Sequence, residues 1–406
     1  MAAERPVRVC LPIGNYPPVF SGMGIQTQRT LPFLRARGVE LTVLTRRLPR
    51  GFGDTPQEEN GTIDRVLAPG AGRLATICRV AQLRRYFERR AGAFDVLHSD
   101  SLAWEFILSV RRLKALGLPT IVEMVLLDGD DPVAISKERL GAFKLRRLKD
   151  VDIWVGISGA FLPRVLAAGI PGQRFRLIHP AVDAQSYRPS TAEERRATRA
   201  RLGLAVDSRI VVSVGAVIRR KGFDRLLNAW TRLGPIRGRD LLLIVGPTIQ
   251  ADGLSASDLA FVRTIQAASQ TPRLEGTVRL IGRAQNVHEY FGAADLFVLL
   301  SRQEGLPIVT VEALAAGLPC IVSPLDGIDE VVMEGKTGFI VGDPDDADAV
   351  SLLMSRCLDR PQVRAAMSDF ARRIALARFS FEARADALTS IYRELSEARG
   401  RPDFRS

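Results

Sequence analysis

Two glutamates, Glu304 and Glu312, sit where a phosphorylated sugar could be handled. The run SRQEGLPIVTVEALAAGLPCIVS (residues 301–323) places a loop with Glu304 and Gly305 after an apolar strand-like run and before a helix. Pro307 takes the expected first helical position, where its missing N–H costs nothing. The free N–H groups within residues 305–309 can face a phosphate, helped by the positive end of the helix dipole. Glu312, on the helix, can then reach hydroxyls beside that phosphate. The bland alternative is an exposed helix glutamate; Val311 and Leu314 beside it weigh against that.

Other stretches could serve the same ligand. In VGAVIRRKGFDRLL (214–227), a strand ends at Gly215, Arg219, Arg220 and Lys221 follow, and a helix begins near Gly222. Cations at a strand's carboxyl end suit a diphosphate; an exposed basic turn is the equal alternative. In PIGNYPPVFSGMGIQTQ (12–28), Gly22 and Gly24 let backbone N–H groups approach an anion at a helix start, although turn glycines would look the same. In FDVLHSD (94–100), His98 and Ser99 end an apolar strand; a catalytic and a structural histidine fit equally. In LLDGDDPVA (126–134), Asp128, Asp130 and Asp131 could hold Mg²⁺. A turn with helix-capping aspartates is the preferred reading, because the cationic loops already serve the diphosphate.

Short apolar runs must position these loops. They fall at residues 7–13, 41–45, 94–97, 120–124, 153–157 and 175–178, then at 210–214, 241–245, 278–281, 296–300 and 320–323. Helical patterns such as 24–37 and 104–116 lie between them. This alternation predicts βαβ units and parallel sheets. The aperiodic, Pro-containing segment HPAVDAQSYRPS (179–190) reads as an interdomain linker. The expected fold is therefore α/β, with two doubly wound, Rossmann-like domains whose strand-end loops face across a cleft.

Composition narrows the partners. The 406 residues are 46% apolar and 25% charged, a globular balance that suits two domains. Four cysteines (Cys10, Cys78, Cys320, Cys357) lack metal or redox spacing, and three histidines make a multi-histidine metal site improbable. Neither a signal peptide nor a membrane span is read, so a cytoplasmic protein is expected. The net charge of +12 includes the runs Arg84-Arg85, Arg89-Arg90, Arg111-Arg112 and 144–149. They lack the interleaved aromatics and motifs of nucleic-acid binders, so no nucleic-acid partner is expected. A solvated helix face and peripheral docking on the anionic inner face of a membrane remain as readings.

Together these stretches resemble the retaining glycosyltransferases of family 4, with the GT-B fold, over nearly the whole chain. The most specific match is Glu304-Gly-Leu-Pro…Glu312, the family's Glu-x7-Glu motif; VGAVIRRKGFDRLL and AADLFVLLSRQEG follow. The segment 155–189 is similar to the family's approach to its hinge. The final helical stretch, FSFEARADALTSIYREL, resembles the one that crosses back to the first domain.

The resemblance implies an acceptor-side domain at 1–183, a nucleotide-sugar domain at 184–378 and a returning helix at 379–406. It implies that Glu312 binds the donor ribose and Glu304 the donor sugar. Gly305, Leu306, Pro307 and Ile308 would line sugar and phosphate. Lys221 would bind the diphosphate, Gly22 a phosphate, and His98 would flank the reacting sugar. Neither metal nor cofactor is expected beyond the nucleotide-diphosphate sugar itself. The acceptor would be a glycan, a lipid-linked intermediate or a small molecule, contacted through loops such as 46–75 and 125–136. Three positions depart from the family pattern: paired glycines appear as Ser21-Gly22, the arginine after the strand-end glycine is Ala216, and the hinge reads His179-Pro180-Ala181-Val182-Asp183. Arg220 is expected to stand in for the missing arginine. The rival readings are a sugar-nucleotide epimerase on the same plan and a non-catalytic member that binds a membrane or partner. Glu304, Glu312 and Lys221 together argue against the latter.

Overall fold

The computed structural model describes residues 5–19, 21–48, 62–70, 72–100, 102–249 and 254–399. The chain divides into two compact units, Met1–Ala181 with Phe381–Ser406, and Val182–Ser380. The first is built on β1 (Val7–Pro12), β2 (Val39–Arg46), β3 (Thr62–Leu67), β4 (Val96–Ser99), β5 (Thr120–Met124), β6 (Ile153–Gly156) and β7 (Phe175–Leu177). Its sheet order is β3-β2-β1-β4-β5-β6-β7, with all pairs parallel. The second carries β8 (Arg209–Val214), β9 (Asp240–Val245), β10 (Val278–Gly282), β11 (Leu296–Leu299), β12 (Cys320–Val322) and β13 (Gly338–Ile340). Its order is β10-β9-β8-β11-β12-β13, again all parallel. These are two doubly wound α/β domains, as the alternating pattern predicts.

Central strands such as β8 and β11 are buried along nearly their whole length because helices cover both faces, so they read as unbroken apolar runs. Two strands escape that signal. β3 (TIDRVL) lies at the sheet edge and is mostly half-buried, and β13 has only three residues.

In each sheet the chain's first strand sits inside, and the winding reverses beside it. The reversal falls between β1 and β4 in one unit and between β8 and β11 in the other. The loops leaving those strands diverge and open a crevice at their carboxyl ends. Four of the five sequence candidates lie at the ends of β1, β4, β8 or β11; the fifth, 126–134, follows β5.

The helix Phe381–Arg399 belongs to the first unit although it comes last in the chain. Ala385, Leu388, Ile391, Tyr392 and Leu395 join Val9, Leu11, Leu31 and Val96 in one core, and Phe381 stacks on Phe33 with ring centroids 5.5 Å apart. The segment expected as a linker is tied down beyond residue 182. Arg372 donates to the carbonyls of Ala184 and Tyr187 at 2.7 Å and of Ala315 at 2.9 Å.

Candidate active site

β8 and β11 are neighbours, so their outgoing loops meet. Gly222 makes that meeting possible. Its φ is +71°, and a Cβ there would stand 1.9 Å from the Leu300 carbonyl oxygen, so no side chain fits. The backbone N–H of Arg302 donates to the Arg220 carbonyl at 2.7 Å. The Arg302 guanidinium holds both oxygens of Asp224 at 2.8 Å and also reaches the Arg219 carbonyl. Burial would raise the Asp224 pKa, but Arg302 outweighs it and keeps this carboxyl below the usual range.

Glu304 stands in the middle of this junction. Its Oε1 lies 2.5 Å from Lys221 Nζ and accepts from Ser301 Oγ at 3.1 Å, while its Oε2 lies 3.0 Å from Arg220 Nη1. The same Arg220 nitrogen donates to the Gln303 carbonyl at 2.6 Å. The aliphatic part of Lys221 lies against Gly215, with Cε 3.3 Å from where a Cβ would begin. Two cations thus converge on one partly buried carboxylate. Arg219 lends this junction its carbonyl.

Beyond Glu304 the chain enters the helix Ile308–Ala315. Pro307 is the residue before this helix, with ψ 104°, so the first helical position is Ile308 and the expectation is off by one. The first turn carries no acidic side chain, so the positive end of the dipole is not neutralised locally. Gly305, Leu306 and Pro307 are buried, and Ile308 and Glu312 are half-buried on the helix. The structure therefore brings Arg220, Lys221, Glu304, Gly305, Leu306, Pro307 and Ile308 to one strand-end junction, with Glu312 on the helix that leaves it.

The first unit departs further from expectation. Its first helix, Gly22–Arg35, begins two residues earlier than the pattern suggests. Ser21 caps it, and its Oγ accepts from the Gly24 N–H at 3.2 Å. That N–H is therefore not offered to an anion. Gly24 instead permits close packing, since a Cβ there would lie 2.8 Å from the Asn15 carbonyl oxygen. Gly22 has open space around it.

His98 ends β4 as expected, but it does not line an open crevice. It is buried, with Nδ1 2.8 Å from the Tyr392 hydroxyl and Nε2 3.4 Å from Glu123 Oε2. Glu123 in turn receives two hydrogen bonds from Arg384, at 2.8 and 2.9 Å. Burial would raise Glu123; the charge of Arg384 and the proximity of His98 reverse this and hold it at about 2. Asp100, at the same strand end, goes the other way: burial and then the charge of Glu123 push it to about 8. The role expected for His98 beside the reacting sugar is corrected accordingly. The returning helix covers this histidine, which acts as part of a buried polar cluster.

Two of the three aspartates at 128–131 are spent on backbone. Asp130 accepts from the Val125 and Leu126 N–H groups, and Asp131 caps the helix Pro132–Lys137 through Val133 and Ala134. Asp128 pairs with Arg164 at 2.9 Å. This is the capping turn preferred from sequence. Of the acceptor-loop candidate 46–75, residues 49–61 and 71 lie outside the described residues.

Sequence reasoning missed Ser301, Arg302 and Asp224 around the cationic loop, and Glu123, Arg384 and Tyr392 around His98. Arg302 and Asp224 did stand inside the quoted motifs, as opposite charges on two loops from adjacent strands. Nothing local marks the His98 cluster, because Arg384 lies 261 residues from Glu123.

In the second unit a cationic strand-end loop thus meets a loop-to-helix junction, and comparison with known proteins gives the family. Residues 194–374 match the family model of glycosyl transferases group 1, and residues 21–181 match that of the glycosyl transferase 4-like domain. The chain belongs to the group 1, family-4-like glycosyltransferases. The D-inositol 3-phosphate glycosyltransferase of Mycobacterium tuberculosis is 28% identical over 97% of this chain and 84% of the relative. Among solved structures, sucrose-phosphate synthase from Thermosynechococcus elongatus superposes with a TM-score of 0.79 at 22% identity, covering 97% of this chain and all of the other. Anabaena HepE in complex with UDP and glucose gives a TM-score of 0.77 at 16% identity, covering 96% of this chain and 100% of the other.

Proposed function

We propose that the protein moves a sugar from a nucleoside-diphosphate sugar to an acceptor with retention of anomeric configuration. The donor binds to the second unit, and the first unit supplies acceptor contacts. The observation that carries this reading is the clamp of Lys221 and Arg220 on Glu304 at the β8–β11 reversal. Two cations held on a single carboxylate are ready to exchange it for a more highly charged diphosphate.

In this reading the diphosphate takes Lys221 and Arg220, and Glu304 turns to the sugar hydroxyls. Glu312 accepts from the ribose hydroxyls. The backbone from Gly305 to Ile308 lies along sugar and phosphate, Pro307 shaping the turn without an N–H of its own. Gly22 offers its N–H to a phosphate. As the bond from the anomeric carbon to the diphosphate oxygen breaks, positive charge grows on the sugar and negative charge on the leaving group. Lys221, Arg220 and the helix end beyond Leu306 stabilise that negative charge. The acceptor oxygen bonds on the same face and passes its proton to the departing phosphate. The positions of these residues support metal-independent transfer, because local cations are already in place.

UDP-glucose is the first donor to test, and UDP the first nucleotide ligand, since HepE was crystallised with each. A phosphorylated polyol is the first acceptor, after the inositol 3-phosphate relative. The test is calorimetry with nucleotides on the wild type and on Glu312→Ala. Losing hydrogen bonds from a charged group should weaken binding by about 1.5–3 kcal/mol while the melting temperature holds. Unchanged affinity removes Glu312 from the site. NMR of the product then reads its anomeric configuration; an inverted product overturns retention.

A further inference from the structure

The helix Arg73–Arg90 in the first unit carries a face that the transfer reaction leaves unused. Leu74 is 81% exposed and Ile77 64% exposed, the highest values among the described large apolar side chains of that unit. Three residues apart, they stand side by side on the helix surface. Cys78 and Ala81, also exposed, extend the same strip. The opposite face, with Leu83 and Phe87, is packed into the domain.

Arginines border the strip. The helix holds six arginines and one glutamate. Two of the six are committed: Arg79 is buried against Glu105, and Arg90 pairs with Asp64. Arg73, Arg84, Arg85 and Arg89 are exposed. Among the described residues Arg73, Arg85 and Arg89 have no carboxylate in ion-pair range, and Arg84 donates only to the Leu108 carbonyl. The single glutamate, Glu88, is engaged by Arg112. At 100° per residue, Arg73 and Arg84 fall on one side of the Leu74–Ala81 strip, Arg85 continues the line of the strip one turn beyond Ala81, and Arg89 falls just past its other edge. The exposed surface of the helix is therefore apolar in its first turns and cationic along one margin and toward its C-terminal end.

We propose that this face docks on an anionic lipid bilayer, with the helix lying along the surface. Leu74 and Ile77 enter the boundary between headgroups and acyl chains, and Arg73, Arg84, Arg85 and Arg89 engage lipid phosphates. Each half of the surface selects the partner. A nucleic acid would use the arginines and leave two exposed aliphatic side chains in water. An apolar peptide groove would use the aliphatics and strand unpaired cations. A bilayer of anionic lipid satisfies both at one depth, as interfacial amphipathic helices do. The net charge of +12 adds long-range attraction to such a surface. Among the described residues no helix is long and apolar enough to cross a membrane, so attachment through this face is peripheral. The docking face does not depend on the transfer reaction; its failure would leave the donor reading untouched.

The test is sedimentation of the full chain with vesicles of phosphatidylglycerol and phosphatidylcholine, or phosphatidylcholine alone, at low and high salt. Three double variants accompany the wild type, each with its melting temperature measured. Leu74→Asp/Ile77→Asp removes the apolar strip. Arg84→Glu/Arg85→Glu reverses two of the exposed charges. Arg263→Glu/Arg273→Glu makes the same charge change at exposed positions of the second unit. The expected result is binding to the anionic vesicles that weakens with salt and falls about tenfold or more in each of the first two variants, with little change in the third. Three results overturn the proposal: no wild-type binding to anionic vesicles at low salt, an equal loss in the Arg263/Arg273 control, or binding that ignores Leu74→Asp/Ile77→Asp. The last marks the arginines as a polyanion surface of another kind, such as one for nucleic acid.

Discussion

Lys221 Nζ lies 2.5 Å from Glu304 Oε1, joining the loop after β8 to the loop after β11. Glu304 is the partner of Lys221 here and the rival of any incoming phosphate for it. Removing either should therefore have opposite effects on nucleotide binding. Lys221→Ala deletes a cation and should weaken diphosphate binding by about 1.5–3 kcal/mol. Glu304→Gln frees both cations, so nucleoside diphosphate should bind at least as tightly while turnover of the sugar donor falls. Calorimetry beside steady-state rates separates these outcomes; weaker nucleoside diphosphate binding by Glu304→Gln would contradict the rivalry.

Arg220 shares Glu304 with Lys221, whereas no side-chain bond of Arg219 reaches the carboxylate. Ala216 supplies nothing to a phosphate, so Arg220 is expected to stabilise the leaving diphosphate. Arg220→Ala should lower kcat strongly, Arg220→Lys should recover part of it, and Arg219→Ala should be mild. A lysine keeps the charge but loses the planar fork. Restored turnover in Ala216→Arg with Arg220→Ala would place both arginines at one phosphate position. Near-normal kcat for Arg220→Ala alone removes the role.

The two carboxyls beside His98 give stability opposite pH dependences. Asp100 is raised to about 8 from the ordinary 3.8, so the fold binds its proton more tightly than the unfolded chain does. Its contribution is full below the unfolded value and drains away as pH climbs through about 8. Glu123, lowered to about 2 from 4.5, contributes above its unfolded value and loses that contribution as pH falls through about 2. Asp100→Asn should therefore flatten the fall in melting temperature between about pH 5 and about pH 9. Parallel curves for variant and wild type would refute this. Glu123→Gln leaves Arg384 buried without its ion-pair partner, and should cost about 3–5 kcal/mol in denaturant unfolding at neutral pH.

Turnover is expected to survive EDTA. The carboxylates of Asp130 and Asp131 bind backbone N–H groups, and Asp128 holds Arg164, so that turn is already engaged. Loss of activity with EDTA and its return with Mg²⁺ or Mn²⁺ would instead place a metal at the diphosphate.

The sheet interiors and the reaction loops were legible because both are local signals. A doubly covered strand is an apolar run, and each loop of interest follows one directly. β3 was not legible, since an edge strand with half-buried residues such as Asp64 and Arg65 carries no such run. For His98, sequence located the strand end and could not see what covers it. The covering residues Arg384 and Tyr392 arrive from the far end of the chain. The Gly24 N–H was misjudged for a nearer reason: Ser21, three residues earlier, caps a helix that starts two residues sooner than the apolar period suggests.

The place of the helix Phe381–Arg399 also bears on the order in which the protein is made. Its Leu388, Ile391, Tyr392 and Leu395 complete the core around β1 and β4. When a ribosome has added Ser380, every residue of the second unit has been synthesised, yet the first unit lacks a wall of its interior. The domain whose residues emerge first is the one that must wait, with apolar surface uncovered, until the last helix leaves the exit tunnel. The second unit, continuous in sequence, can reach its native packing earlier.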